Sequence, residues 1–144
     1  NPMRFRHPRW GEALVAAAGP LMNLLLAAVC LTSLGVLEGL TAAEDPTTVR
    51  PWVLHLATFL WLGGWLNLIL FLLNLIPVPP LDGSRILACC SYTIRDWYLR
   101  PQTQLLGLFI FMMIFIGGLA DGAFLWTTRV AAGYTAAVAG LVAA

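Results

Sequence analysis

Three prolines in four positions, Pro77, Pro79 and Pro80, directly follow an apolar run long enough to cross a bilayer. Proline has no backbone N–H and cannot continue a regular helix interior, so the run must end there and the chain must turn. The full stretch is Asn74-Leu75-Ile76-Pro77-Val78-Pro79-Pro80-Leu81-Asp82-Gly83. It sets an amide inside apolar sequence and a carboxylate beside a glycine that permits a sharp change of direction. Non-helical backbone at membrane depth is tolerated only where protein buries it or a wet cavity receives it. A carboxylate at such depth marks a functional site as the first hypothesis.

The surrounding composition supports that depth. Of 144 residues, 60% are hydrophobic and 10% charged, against about 25% charged in soluble domains. A net charge of +1 removes the electrostatic case for a nucleic-acid partner. All eight basic residues are arginine, which with the abundant alanine hints at a GC-rich genome. No signal peptide precedes the first apolar run, and the chain is expected to belong to something longer. Cys30, Cys89 and Cys90 form no C-x-x-C pair. Burial is their expected fate, with palmitoylation or metal linkage the alternative for Cys89-Cys90.

The pattern predicts an all-α, polytopic transmembrane bundle of about four spans, one of them broken at the proline-rich turn. Residues 1–11 read as a basic juxtamembrane segment in which Arg4, Arg6 and Arg9 alternate with Phe5, His7 and Trp10. Residues 13–37 form a first span containing Gly19-Pro20 and Asn23; Pro20 should bend it, and Ala16 to Gly19 should admit a neighbouring helix. A short polar loop with Glu44, Asp45 and Arg50 has no room for an inserted domain. Residues 52–76 form a second span with a close-packing point at Gly63-Gly64, a solitary His55, and Asn67 two helical turns before Asn74 on the same face. Residues 77–103 hold the turn and a cytoplasmic amphipathic helix from Ser84 to Tyr98, closed by Pro101. Residues 104–144 supply two further spans, 105–120 and 124–144, the second containing Arg129, which must face the bundle or snorkel. Arginine counts of three before the first span, one in the polar loop and three after the turn place the start and the post-turn segment in the cytoplasm. Asp82 then lies towards the cytoplasmic side.

Two chemical roles are open for Asp82. It is a favoured N-cap and directly precedes a plausible helix. Alternatively it ligates a metal, which requires a deprotonated ligand; hydrolytic zinc commonly takes two histidines and one carboxylate, leaving a position for water. Asn74 is placed to donate to a substrate or a developing oxyanion, or merely to satisfy a neighbouring carbonyl. Carbonyls around Pro77 and Pro79 are candidates for pairing with an extended substrate strand. Asn23 and Asn67 are either interhelical hydrogen-bonding groups or support for the polar site.

The run Asn74 to Gly83 resembles the N-x-x-P-x-P-x-x-D-G signature of the site-2 protease family of intramembrane zinc metalloproteases. Ala18-Gly19-Pro20-Leu21-Met22-Asn23 is similar to the family's G-P-x-x-N helix, and Asn67 matches an asparagine often found before the signature. Together these cover roughly Gly11 to Leu87. The resemblance implies that Asp82 is the third zinc ligand, that Asn74 positions the substrate or stabilises the reaction centre, and that Pro77, Pro79, Gly83, Asn67 and Asn23 shape the site. It implies a Zn2+ cofactor, transmembrane protein substrates, a lipid bilayer and a prokaryotic cytoplasmic membrane. The family's H-E-x-x-H is not in this sequence, and neither His7 nor His55 has its spacing. The two histidines are therefore expected from a further, N-terminal part of the same protease. The rival expectations are a catalytically inactive homologue serving as a membrane scaffold, and a transporter whose broken helix binds its substrate.

Overall fold

The computed structural model describes residues 8–43, 49–89, 91–118 and 120–144. Six helices follow in order: α1 (Pro8–Thr41), α2 (Pro51–Leu75), α3 (Asp82–Ala88), α4 (Tyr92–Tyr98), α5 (Pro101–Ile116) and α6 (Asp121–Ala143), and none of the described residues is in a strand. The starts follow simple rules. α2 and α5 open on proline, whose fixed φ suits the first helical position and whose missing N–H is not needed there. α3 and α6 open on aspartate, whose charge complements the helix dipole.

Two helical segments, Gly11–Thr41 and Pro51–Leu75, are long and apolar enough to cross a membrane, and a third results if α5 and α6 are taken as one broken span. The polytopic helical class therefore holds, with two or three candidate spans rather than four. α5 has 16 residues, about 24 Å of helix at 1.5 Å per residue, short of a roughly 30 Å hydrocarbon core. α6 is long enough, but its alanine, glycine and Arg129 make it less apolar. α1 runs through Pro20 without interruption. The single amphipathic helix expected over 84–98 is instead α3 and α4, with extended backbone at Ser91; the low helix propensity of Cys89 and Ser91 favours a break here. Pro101 opens α5 rather than closing the preceding helix. α5 ends at Ile116 with Gly117 as its C-cap, and the next residue, Gly118, has the φ of +72° that glycine supplies after a helix. Arg4, Phe5, Arg6, His7, Glu44, Asp45 and Cys90 lie outside the described residues, as do the side chains of Arg9 and Trp10.

The chain divides into two compact units, Asn1–Asn23 with Leu70–Gly122, and Leu24–Ile69 with Ala123–Ala144. The second unit packs through small residues. A Cβ on Gly35 would lie 2.7 Å from the Val138 side chain and 2.8 Å from the Thr135 carbonyl oxygen, and one on Gly39 equally close to Val142 and Ala139. Gly35 and Gly39, one turn apart on α1, thus let α6 approach at backbone distance. Gly64 of α2 does the same for Leu31, and Cys30 packs against Gly63. Polar links are the Thr32–Tyr134 hydroxyl pair at 2.8 Å and the Trp65 indole N–H donating to Thr128 Oγ1 at 3.0 Å. Arg129 is exposed on α6 rather than turned into the bundle, and His55 is exposed on α2.

In the first unit the outward faces are apolar: Leu14, Val15, Leu21 and Met22 on α1, and Leu105, Phe109, Met112, Met113 and Ile116 on α5 are exposed. Large exposed apolar side chains in this number suit lipid as their solvent. Its inward positions are small or conformationally special: Gly11, Ala16, Pro20, Pro79, Gly83, Ser84, Thr103 and Gly107. Substituting Gly35→Ala should destabilise the protein by about 1–3 kcal/mol through overpacking. Gly140→Ala, where a Cβ meets nothing within 4 Å, should be neutral or stabilising. Thermal unfolding in detergent micelles compares the two; equal effects would remove the close α1–α6 contact.

Candidate functional site

The site is built on the turn between α2 and α3, all within the first unit. Past Leu75 the available N–H groups are used locally. Ile76 N–H donates to the Leu73 carbonyl at 3.1 Å, Val78 N–H to Ile76 at 2.8 Å, and Leu81 N–H to Val78 at 3.0 Å. The Leu81 carbonyl then receives both the Ser84 N–H at 3.1 Å and the Ser84 hydroxyl at 2.7 Å. These bonds coil the chain back so that α3 starts against the end of α2. A Cβ on Gly83 would stand 2.5 Å from the Ile76 carbonyl oxygen and 2.6 Å from that of Leu75, so this contact requires a residue without one.

Asp82 does not cap α3. The N-cap is Leu81, with no side-chain capping bond, and Asp82 is the first residue of the helix. Its carboxylate is directed at α1, where Oδ2 lies 3.0 Å from the position a Gly19 Cβ would take. The glycine of the G-P-x-x-N element thus makes room for the carboxylate. Gly19 is eight residues past Gly11, the start of the apolar segment, about 12 Å along the helix. The turn therefore brings a carboxylate back alongside apolar helix. Its side chain is 32% exposed, and Arg85 Nη1 stands 4.0 Å from Oδ1 with its own side chain 71% exposed. An exposed pair at that distance neutralises little.

The remaining predicted residues fall into two groups. Asn23 is one turn beyond Gly19 on the same face of α1, and Asn74 occupies the last turn of α2; both are half-buried, and neither amide is hydrogen-bonded to another described residue. Asn67 belongs to the second unit, and its Nδ2 donates to the Gly63 carbonyl of its own helix at 2.8 Å. Pro79 is buried, and any Cβ on Gly107 of α5 would collide with its carbonyl oxygen. The Pro77 carbonyl, a candidate for strand pairing, accepts the Tyr98 hydroxyl at 2.8 Å. Gly107 and Tyr98 were not among the expected site residues. Gly107 could have been found as the lone small residue between Leu105 and Ile116; Tyr98 had no comparable signal.

A cavity of about 490 Å³ adjoins the turn, walled by Pro79, Pro80, Ser84 and Arg85 on one side and by Glu12, Val15, Arg95 and Tyr98 on the other. Its size falls within the roughly 300–1,000 Å³ of small-ligand sites. In its lining Glu12 Oε1 and Arg95 Nη2 form an ion pair of 3.2 Å.

Among the described residues no three His, Cys, Asp or Glu side chains gather as a metal site. A hydrolytic zinc takes three protein ligands; Asp82 fits the carboxylate position of such a set, and the described residues do not complete it. Gly83→Ala should cost about 2 kcal/mol or more, since the opposing atoms are backbone oxygens that cannot move away. Gly19→Ala should cost less, because a side-chain carboxylate can swing aside. Thermal midpoints of the two variants test this order, and a reversal would mean that α3 does not abut α2 as described.

The family model for Peptidase family M50 matches residues 4–118. The Bacillus subtilis (strain 168) protein named "Putative zinc metalloprotease YwhC" is 32% identical over 117 residues, covering 81% of this chain and 51% of that protein. The chain thus spans about half the length of the curated relative it matches. No solved structure matches it. A matched region running through α1, α2, the Asp82 turn and α5, together with this relative, shows that the chain belongs to peptidase family M50, the site-2 protease family.

Proposed function

We propose that this chain is the part of an intramembrane zinc metalloprotease that supplies the carboxylate ligand, Asp82, and the walls of the substrate site. The observation carrying this is the carboxylate held against Gly19, about 12 Å into an apolar helix, with no cation nearer than 4.0 Å among the described residues. A charge so placed calls for a partner, and a divalent metal is the partner that M50 membership supports. The two other ligands are histidines contributed from outside this sequence. Zinc, when bound, supplies Lewis acidity and an activated water.

The chain's own residues do the positioning. Asn74, with an amide unengaged by described residues one turn before the break, donates to the substrate carbonyl. Pro77, Pro79 and Gly83 hold the turn, and Asn23 flanks the carboxylate from α1. Asn67, bonded within its own helix, has the more distant, supporting role. Substrates are transmembrane proteins that enter from the bilayer, as in regulated intramembrane proteolysis. The Glu12–Arg95 pair ties the start of the first apolar segment to α4, and with the arginine counts this supports a multi-pass arrangement with both segments, and Asp82, towards the cytoplasm of a prokaryote.

In the full-length protein, Asp82→Ala should abolish cleavage of a transmembrane substrate and lower zinc content from about one per chain. Metal analysis beside a cleavage assay decides; retained zinc and full proteolysis would withdraw the ligand assignment. Asn74→Leu should reduce cleavage at least tenfold while leaving zinc content and thermal stability near wild type. Equal loss of fold and activity would make Asn74 structural.

A further inference from the structure

Pro77 has a carbonyl that its own neighbourhood cannot satisfy. A carbonyl in a tight turn is normally met by the N–H two or three residues on, and here those residues are Pro79 and Pro80, which have none. The next N–H, that of Leu81, is spent on Val78. The protein donor it has comes from elsewhere: the Tyr98 hydroxyl, 21 residues away, donates to it at 2.8 Å. Tyr98 is the last residue of α4. One turn earlier on that helix, Arg95 is paired with Glu12 of α1 at 3.2 Å. α4 is thus fastened at one point to the proline turn and at another to the helix that bears Gly19.

We propose that Tyr98 is a positioning residue: by holding the Pro77 carbonyl it sets the turn that carries Asp82, and α4 acts as a brace between that turn and α1. The inference rests on the metalloprotease function proposed above for its catalytic consequence, but its structural part stands separately. Four residues of chain separate the held carbonyl from Asp82, and this stretch is already restrained by the Val78–Leu81 bond and the abutment of Gly83 on Leu75 and Ile76. Releasing Pro77 leaves the start of the turn as its loose end. Removing the hydroxyl while keeping the ring preserves the packing of Tyr98 on Trp97, whose ring centroids are 5.3 Å apart.

The test is Tyr98→Phe in the full-length protein in lipid nanodiscs, with Asp82→Ala alongside. Amide hydrogen exchange should quicken about fivefold in peptides covering 76–88, the order expected for one lost hydrogen bond, and stay unchanged in α6. Cleavage should show kcat lowered about fivefold with KM unaltered, and zinc should bind about fivefold more weakly. Wild-type exchange over 76–88, or acceleration spread equally through α6, would overturn the brace. A raised KM with unchanged kcat would overturn the effect on Asp82. If Asp82→Ala keeps both zinc and cleavage, the metalloprotease assignment fails, while the exchange comparison still decides whether Tyr98 holds the turn.

Discussion

Every backbone N–H and C=O placed out of reach of water needs a partner, and the turn after α2 is where this constraint is hardest to meet. Over residues 76–81 half the positions are proline. The three remaining N–H groups, of Ile76, Val78 and Leu81, are all bonded within the segment or to the last turn of α2. Donors are exhausted before acceptors. The surplus acceptor at Pro77 recruits a side chain from α4, and the carbonyls of Leu75 and Ile76 face a glycine. The organisation of the first unit around this turn follows from that shortage.

The first unit sets polar groups beside the turn while its outer faces are apolar. Ser84 and Tyr98 bond to carbonyls of the turn and Glu12 pairs with Arg95 in the adjoining cavity, and leucine, phenylalanine and methionine face outwards on α5. Among its described residues the second unit has no proline turn of this kind to accommodate. It associates through Gly35, Gly39 and Gly64 with only sparse hydroxyl and indole links, as helices do when the surrounding solvent is as apolar as their own side chains.

The helical class, the ends of α2 and the position of the turn were legible in the sequence because proline and long apolar runs act locally. The contact between Asp82 and Gly19 was not legible, since residues 63 apart in the chain carry no periodic signal. Ser91 and Pro101 show a different limit. A run of arginines and aromatics from Ser84 to Tyr98 suggests one amphipathic helix, yet backbone preferences at Cys89, Ser91 and Pro101 divide it otherwise. Asp82 as an N-cap failed for a related reason: Leu81 occupies the cap, so the favoured residue type is displaced by one position. By length and composition the described residues offer two or three candidate spans, because α5 is short and α6 is rich in alanine and glycine.

The glycine at position 107 fixes the axial setting of α5. Sliding that helix by one turn along the Pro79 carbonyl would bring Thr103, Gln104, Ile110 or Phe111 to the contact, and each carries a Cβ where none fits. α5 therefore has a single notch along its length. Any motion that opens this part of the molecule must lift or tilt α5 away from the turn, because a screw-like shift along its own axis is sterically barred.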